Sequence, residues 1–225
     1  VSTSVSDVAA MGATPKAMVI SLSCPGETDI SLLEGIYRGV RMAADRYGVL
    51  NVGGNTAAAN EILLTSTVIG VCDKPPILRK GARVGDDIWV SGTIGSAYAG
   101  YILLDGLRNQ SEVSPEEIEK LIHSQKRPEA QVKLGSVLLE RNLATSMIDI
   151  SDGLLQDMTH ICEQSNVMAN INIDQIPLSK EIVRLGINVA QAASGGEDYG
   201  LLFTAEEEKR KSVESLCVER EVCKD

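Results

Sequence analysis

The sequence predicts an α+β protein built as two domains, and three observations carry that expectation. Short runs that alternate apolar and polar residues are interspersed with segments whose apolar residues recur at helical spacing. The charged, proline-rich stretch Asp73-Lys74-Pro75-Pro76 interrupts this pattern and is the best internal boundary. It separates a partial N-terminal domain, residues 1–75, from a more complete C-terminal one, residues 76–225. In the second part, Met147-Ile148-Asp149-Ile150-Ser151-Asp152-Gly153-Leu154-Leu155 alternates as a strand and then turns into a helix continued by Met158, Ile161 and Cys162.

The elements follow in order. Residues 5–11 open the chain as a helix, residues 12–15 form a small-residue turn, and residues 16–24 alternate as a strand with Met18, Ile20 and Leu22 on one face. Ser31 with Glu34 fits a capping box, and Leu33, Ile36, Val40, Ala43, Ala44 and Tyr47 give the next helix its apolar face up to Gly48. Residues 49–52 read as a strand, Gly53-Gly54-Asn55-Thr56 as a turn, and residues 61–72 as a second strand rich in Leu, Val, Ile and Thr.

Beyond the boundary, Ile88-Trp89-Val90 is a strand and residues 92–95 lead into a helix carrying Ala97, Tyr101, Leu103 and Leu104. Ser114-Pro115-Glu116-Glu117 is a capped helix start with Pro at the first helical position. Arg127-Pro128 precedes a helix with Val132, Leu134, Val137 and Leu138 on its apolar side. After the central strand, residues 170–174 alternate as another strand, residues 179–185 form a short helix, and residues 199–204 an apolar strand. The chain opens without Met inside a helix and stops in a charged helical pattern, so a piece cut from a longer protein is expected.

A formal net charge of -10 argues against a general nucleic-acid or anionic-membrane surface, which selects for Lys and Arg, and suits cation binding instead. Five scattered cysteines without a C-x-x-C pair, and only two histidines, argue against zinc and disulfide frameworks. With no signal peptide and no run of about 18 apolar residues, a cytoplasmic location is the default expectation.

Several residues carry chemistry in one reading and only structure in another. Asp149 and Asp152 flank a strand-to-helix turn, where carboxylates and phosphate oxygens share a hard cation such as Mg2+; the plainer alternative is a solvated strand acid and a helix cap. Asp7 is either a solvated helix acid or one aimed at a site. Tyr37 falls off the apolar stripe of its helix, free to touch a ligand or simply exposed. Gly53-Gly54 lets backbone approach a phosphate, or merely joins strands. Arg79 offers a planar fork to phosphate, or belongs to a solvated basic linker. Ser194-Gly195-Gly196-Glu197-Asp198 is a ligand loop or a polar turn.

Taken together, Ser6-Asp7-Val8-Ala9-Ala10-Met11-Gly12, Gly53-Gly54-Asn55-Thr56, Arg79-x-Gly81-Ala82-Arg83-x-Gly85-Asp86, Asp149-Ile150-Ser151-Asp152-Gly153-Leu154 and Ser194-Gly195-Gly196-Glu197-Asp198-Tyr199 resemble the thiamine-monophosphate kinases. The resemblance covers essentially the whole chain and implies the two-domain α+β fold shared with aminoimidazole ribonucleotide synthetase, selenophosphate synthetase and a hydrogenase maturation protein. It implies ATP-dependent phosphorylation of thiamine monophosphate to thiamine diphosphate, several Mg2+ ions, and a homodimer whose N-terminal sheets form a barrel. By motif, Asp7, Asp149 and Asp152 correspond to metal ligands, and Gly54, Asn55, Arg79 and Ser151 to ATP contacts. Tyr37 is a further ATP candidate and Glu197 a substrate contact. Many members place Asp where this chain has Asn55, which offers a metal or ATP a neutral oxygen. The family also carries a Gly-Asp-Asp element upstream of the first motif and further strands after the last.

Overall fold

The computed structural model describes residues 1–106 and 112–216 and arranges them around two three-stranded sheets. The first holds β1 (Thr14–Cys24), β2 (Leu50–Ala58) and β3 (Leu63–Val71) in the order β2-β1-β3. β1 and β2 run parallel, which consecutive strands achieve only through a crossover, and α2 (Ile30–Tyr47) supplies it. β3 returns antiparallel on the other side of β1. Alternation along β1 buries Met18 and Ile20, which meet Val40 and Ala44 of α2 and Val5 of α1 (Ser2–Ala9). Val19, with Leu63, Ile69 and Val71, lies on the other face and stays exposed, as does every residue of β2.

The second sheet holds β4 (Asp87–Val90), β5 (Ser146–Asp149) and β6 (Leu201–Ala205) in the order β4-β6-β5, both outer strands antiparallel to β6. The helices around it are α3 (Ser96–Leu104), α4 (Pro115–Lys126), α5 (Val132–Glu140), α6 (Leu154–Ser165), α7 (Lys180–Arg184), α8 (Val189–Ser194) and α9 (Arg210–Leu216). Alternation at the central strand is as expected. Met147 joins Leu201, Phe203 and Leu138 in one core, and Ile148 and Ile150 join Leu202, Leu154 and Ile161 in another. The Ser114 and Glu117 capping box closes both ways, at 2.9 Å and 3.3 Å.

α1 belongs to both halves. Val5 packs in the core of the first sheet, and Ala10, just past the end of the helix, packs with Met147 and Leu138 of the second. Gly135 of α5 lets the two helices touch, because a Cβ there would stand 2.1 Å from the Ala9 carbonyl oxygen.

Three expectations are corrected. Residues 53–56 are not a turn but the interior of β2; Gly54 lies opposite Ile20, where a Cβ would be 1.7 Å from the Ile20 carbonyl oxygen. The second helix starts at Ile30 with Asp29 as its cap, whose carboxylate accepts from the Ser31 N–H at 2.8 Å, so Ser31 and Glu34 form no capping box. Residues 170–174 pair with no strand among the described residues. Asn172 accepts from the Asp174 N–H at 3.1 Å and turns the backbone into a 3-10 helix at Ile173–Gln175.

α8 was not anticipated, although Asn188 and Gln191 form a second capping box that the sequence spells out. Of the charged stretch 206–225, residues 207–216 are helical, and 217–225, with Cys217 and Cys223, lie outside the described residues. Cys24, Cys72 and Cys162 are free thiols, and no described helix is long and apolar enough to cross a membrane.

Candidate active site

The end of β5 and the C-terminal end of α1 converge on a cleft of ≈ 380 Å³. Asp7, Arg79, Lys80, Met147, Asp149 and Gln164 are among the residues lining it. Asp149 is the last residue of its strand and only 3% exposed, so the sheet carries a carboxylate to the floor of the cleft. Burial and the charge of Asp149 raise the Asp7 pKa, while the Arg79 guanidinium pulls it down. Two acids that repel each other beside one arginine suit a divalent cation next to a phosphate. The donors of Asp7 and Asp149 are oxygens, the ligand type hard cations prefer.

Past β5 the chain turns sharply through Ser151, Asp152 and Gly153 into α6. Asp152 is not the helix cap; Gly153 occupies that position at φ 111° and has no side chain to offer. The carboxylate of Asp157, in the first turn of α6, does the capping instead, accepting the N–H groups of Asp152 at 3.1 Å and Gly153 at 3.2 Å. Asp152 is thereby left exposed. Asp157 is 1% exposed; burial raises its pKa, with Asp152 and Asp149 adding to the rise and the two N–H groups opposing it. Asp152, Asp157 and His160 each bring a ligand atom within 4.8 Å of the others. Asp157 is not among the residues the sequence singles out; the only local signal is an acid in the first turn of a helix, which the helix dipole favours.

Residues 194–200 fold back onto this turn. The Glu197 N–H donates to the Ser151 carbonyl and the Tyr199 N–H to the Ile150 carbonyl, both at 2.9 Å. Gly196 is needed at the contact, since a Cβ would come within 2.3 Å of the Ser151 carbonyl oxygen. Asp198 turns away from the exposed Glu197 to cap α3, accepting from the Gly95 N–H at 2.6 Å and the Ala97 N–H at 3.0 Å. The two neighbouring acids of one motif thus face different tasks.

The structure brings Asp7, Arg79 and Asp149 to one cleft; Ser151 and Glu197 are laced to each other in the loops beyond β5, and neither they nor Asp152 line it. Tyr37 is exposed on α2 and Gly54 and Asn55 are exposed on β2; none of them lines the cleft. A larger, mostly apolar cavity of ≈ 730 Å³ between β4, α6 and residues 167–177 contains none of the candidate residues.

Comparison with known proteins gives the chain a family. The family AIR synthase related protein, N-terminal domain, matches residues 1–72, and AIR synthase related protein, C-terminal domain, matches residues 83–224. Thiamine-monophosphate kinase of Aquifex aeolicus is 37% identical over 93% of this chain and 68% of its own length. That of Pyrococcus horikoshii is 38% identical over 92% of this chain and 64% of its own. The solved structure of AaThiL complexed with AMPPCP and TMP superimposes with a TM-score of 0.83 at 37% identity, over 92% of this chain and 67% of that one. The chain therefore spans about two thirds of the length of these relatives. On the family matches, the sequence identity and the shared two-domain α+β fold, the chain belongs to the thiamine-monophosphate kinase family.

Proposed function

We propose that the protein transfers the γ-phosphoryl group of ATP to the phosphate of thiamine monophosphate, giving thiamine diphosphate and ADP with the help of Mg2+. The observation that carries this reading is the convergence of Asp7, Asp149 and Arg79 on one cleft. Phosphoryl transfer asks for positioning and charge neutralisation rather than a protein nucleophile, so acids and an arginine form a sufficient set for direct in-line transfer.

In this reading Asp7, Asp149 and Asp152 hold Mg2+, and Asn55, outside the cleft on the exposed β2, offers a neutral oxygen to a metal or ATP there. When bound, the metal neutralises phosphate charge. Arg79 and Ser151 contact ATP phosphate, Gly54, Asn55 and Tyr37 complete the nucleotide site, and Glu197 contacts the substrate. The complex of AaThiL with AMPPCP and TMP supports this substrate pair. The uncovered apolar residues Val19, Leu63, Ile69 and Val71 support a homodimer in which a second copy covers the first sheet. The domain boundary near residue 75 and a cytoplasmic location belong to the same reading.

The test is turnover by the full-length protein. Thiamine monophosphate with Mg-ATP should yield thiamine diphosphate and ADP; turnover of an aminoimidazole precursor or selenide, and none of thiamine monophosphate, would move the assignment to another branch of the fold.

Arg79 gives a narrower check, because a planar guanidinium binds phosphate through two parallel hydrogen bonds and a lysine ammonium cannot. Arg79→Lys should raise the KM for ATP about tenfold, the scale of one charge-assisted hydrogen bond. Superimposable ATP titrations of mutant and parent would return Arg79 to the solvated linker.

A further inference from the structure

Glu197 and Tyr199 both adopt left-handed backbone, at φ 72° and 51°. Residues other than glycine pay for that conformation and hold it only where their surroundings fix it. Here the fixing contacts are the hydrogen bonds from these two residues to Ser151 and Ile150, and the glycine-only approach at Gly196. Glycine would adopt this backbone at lower cost, so the side chains kept there need a reason of their own. They meet each other: the Tyr199 hydroxyl donates to Oε2 of Glu197 at 3.2 Å. The Tyr199 residue is only 8% exposed, while Glu197 opens to solvent.

We propose that Tyr199 is a positioning residue that aims the Glu197 carboxylate at the substrate. The inference rests on the kinase reading, in which Glu197 is a substrate contact. By engaging Oε2, the phenol fixes the carboxylate plane and leaves Oε1 to accept from an N–H or to pair with a cation. Thiamine offers both, an exocyclic amine on its pyrimidine and a positive thiazolium ring. Burial, followed by the nearby charges of Glu197, Asp149 and Asp7, pushes the phenol pKa up, so the group stays a neutral donor. Because Glu197 is also bonded to the Ser151 backbone, the substrate side and the phosphate side of the site are set by one pair of loops.

The experiment is a double-mutant cycle in the full-length protein with Tyr199→Phe and Glu197→Gln. Y199F keeps the ring and removes only the donor. It should raise the KM for thiamine monophosphate about tenfold, the scale of one hydrogen bond to a charged group, with kcat and the KM for ATP within about twofold of the parent. E197Q leaves the phenol in place and should raise the same KM at least as far. Adding Y199F to E197Q should then change nothing further.

An unchanged KM for thiamine monophosphate in Y199F overturns the proposal. So do a parallel rise in both KM values and an additive cycle, each of which marks Tyr199 as scaffold. If Y199F does not fold, E197Q decides alone, and an unmoved KM in E197Q overturns the proposal. A parent that makes no thiamine diphosphate brings down the kinase reading itself, a result distinct from an active parent indifferent to Y199F.

Discussion

Asp149→Asn in the full-length protein is expected to lower turnover by about two orders of magnitude or more, the scale of losing one preorganised electrostatic contact to the transition state. The thermal midpoint should stay within a few degrees of the parent, as for a change below about 1 kcal/mol. The substitution is nearly isosteric, so packing at the end of β5 is preserved; what disappears is one of two like charges, Asp149 and Asp7, in a shared cleft. Without a bound cation those charges repel, and a slight rise in the midpoint is consistent with the same cause. Asp152→Asn should behave alike, because its side chain is exposed and the cap of α6 comes from Asp157. Excess Mg2+ should recover part of the lost turnover. Near-parental turnover of both variants across a Mg2+ titration would reduce these acids to structural residues.

The second large effect falls on stability. Asp198→Ala should cost roughly 2–3 kcal/mol, because it leaves the N–H groups at the start of α3 without their acceptor. In a chain of this length that corresponds to a midpoint lower by roughly 5–10 °C. The N-cap position of α3 is Gly95, which has no side chain, so the helix start depends on a carboxylate supplied from a loop about a hundred residues away. Glu197→Ala, one residue earlier, removes an exposed carboxylate whose side-chain partner is the Tyr199 hydroxyl, and should lower the midpoint less, for a cost of about 1 kcal/mol. Thermal denaturation of the two variants side by side decides the matter. Equal midpoints would mean that water replaces the Asp198 cap without penalty.

The parts of this fold that were legible in the sequence are those with local causes. The period-two pattern at Met18 and Ile20, the helical stripe through Val40 and Ala44, and the Ser114 capping box each act within one element. What escaped depends on partners far along the chain. Gly53-Gly54 looks like turn chemistry until β1 is placed beside it. Residues 170–174 alternate like a strand, but alternation does not supply a neighbour to pair with. The candidate site divides in the same way. Asp7, Arg79 and Asp149 were picked out by residue type and motif, and their meeting in one cleft depends on how α1 packs across both cores. Asp157 and Asp198 act on backbone groups, one on its own helix and one on a distant helix, and only the folded chain shows the second of those targets.

The place of α1 also bears on the order of events during synthesis and folding. Its one acid faces a strand that begins more than 130 residues later, and the cores that hold the helix come from both sheets. A nascent chain with only its first sheet formed has no second carboxylate opposite Asp7. The cleft is thereby completed only in chains in which both sheets have come together.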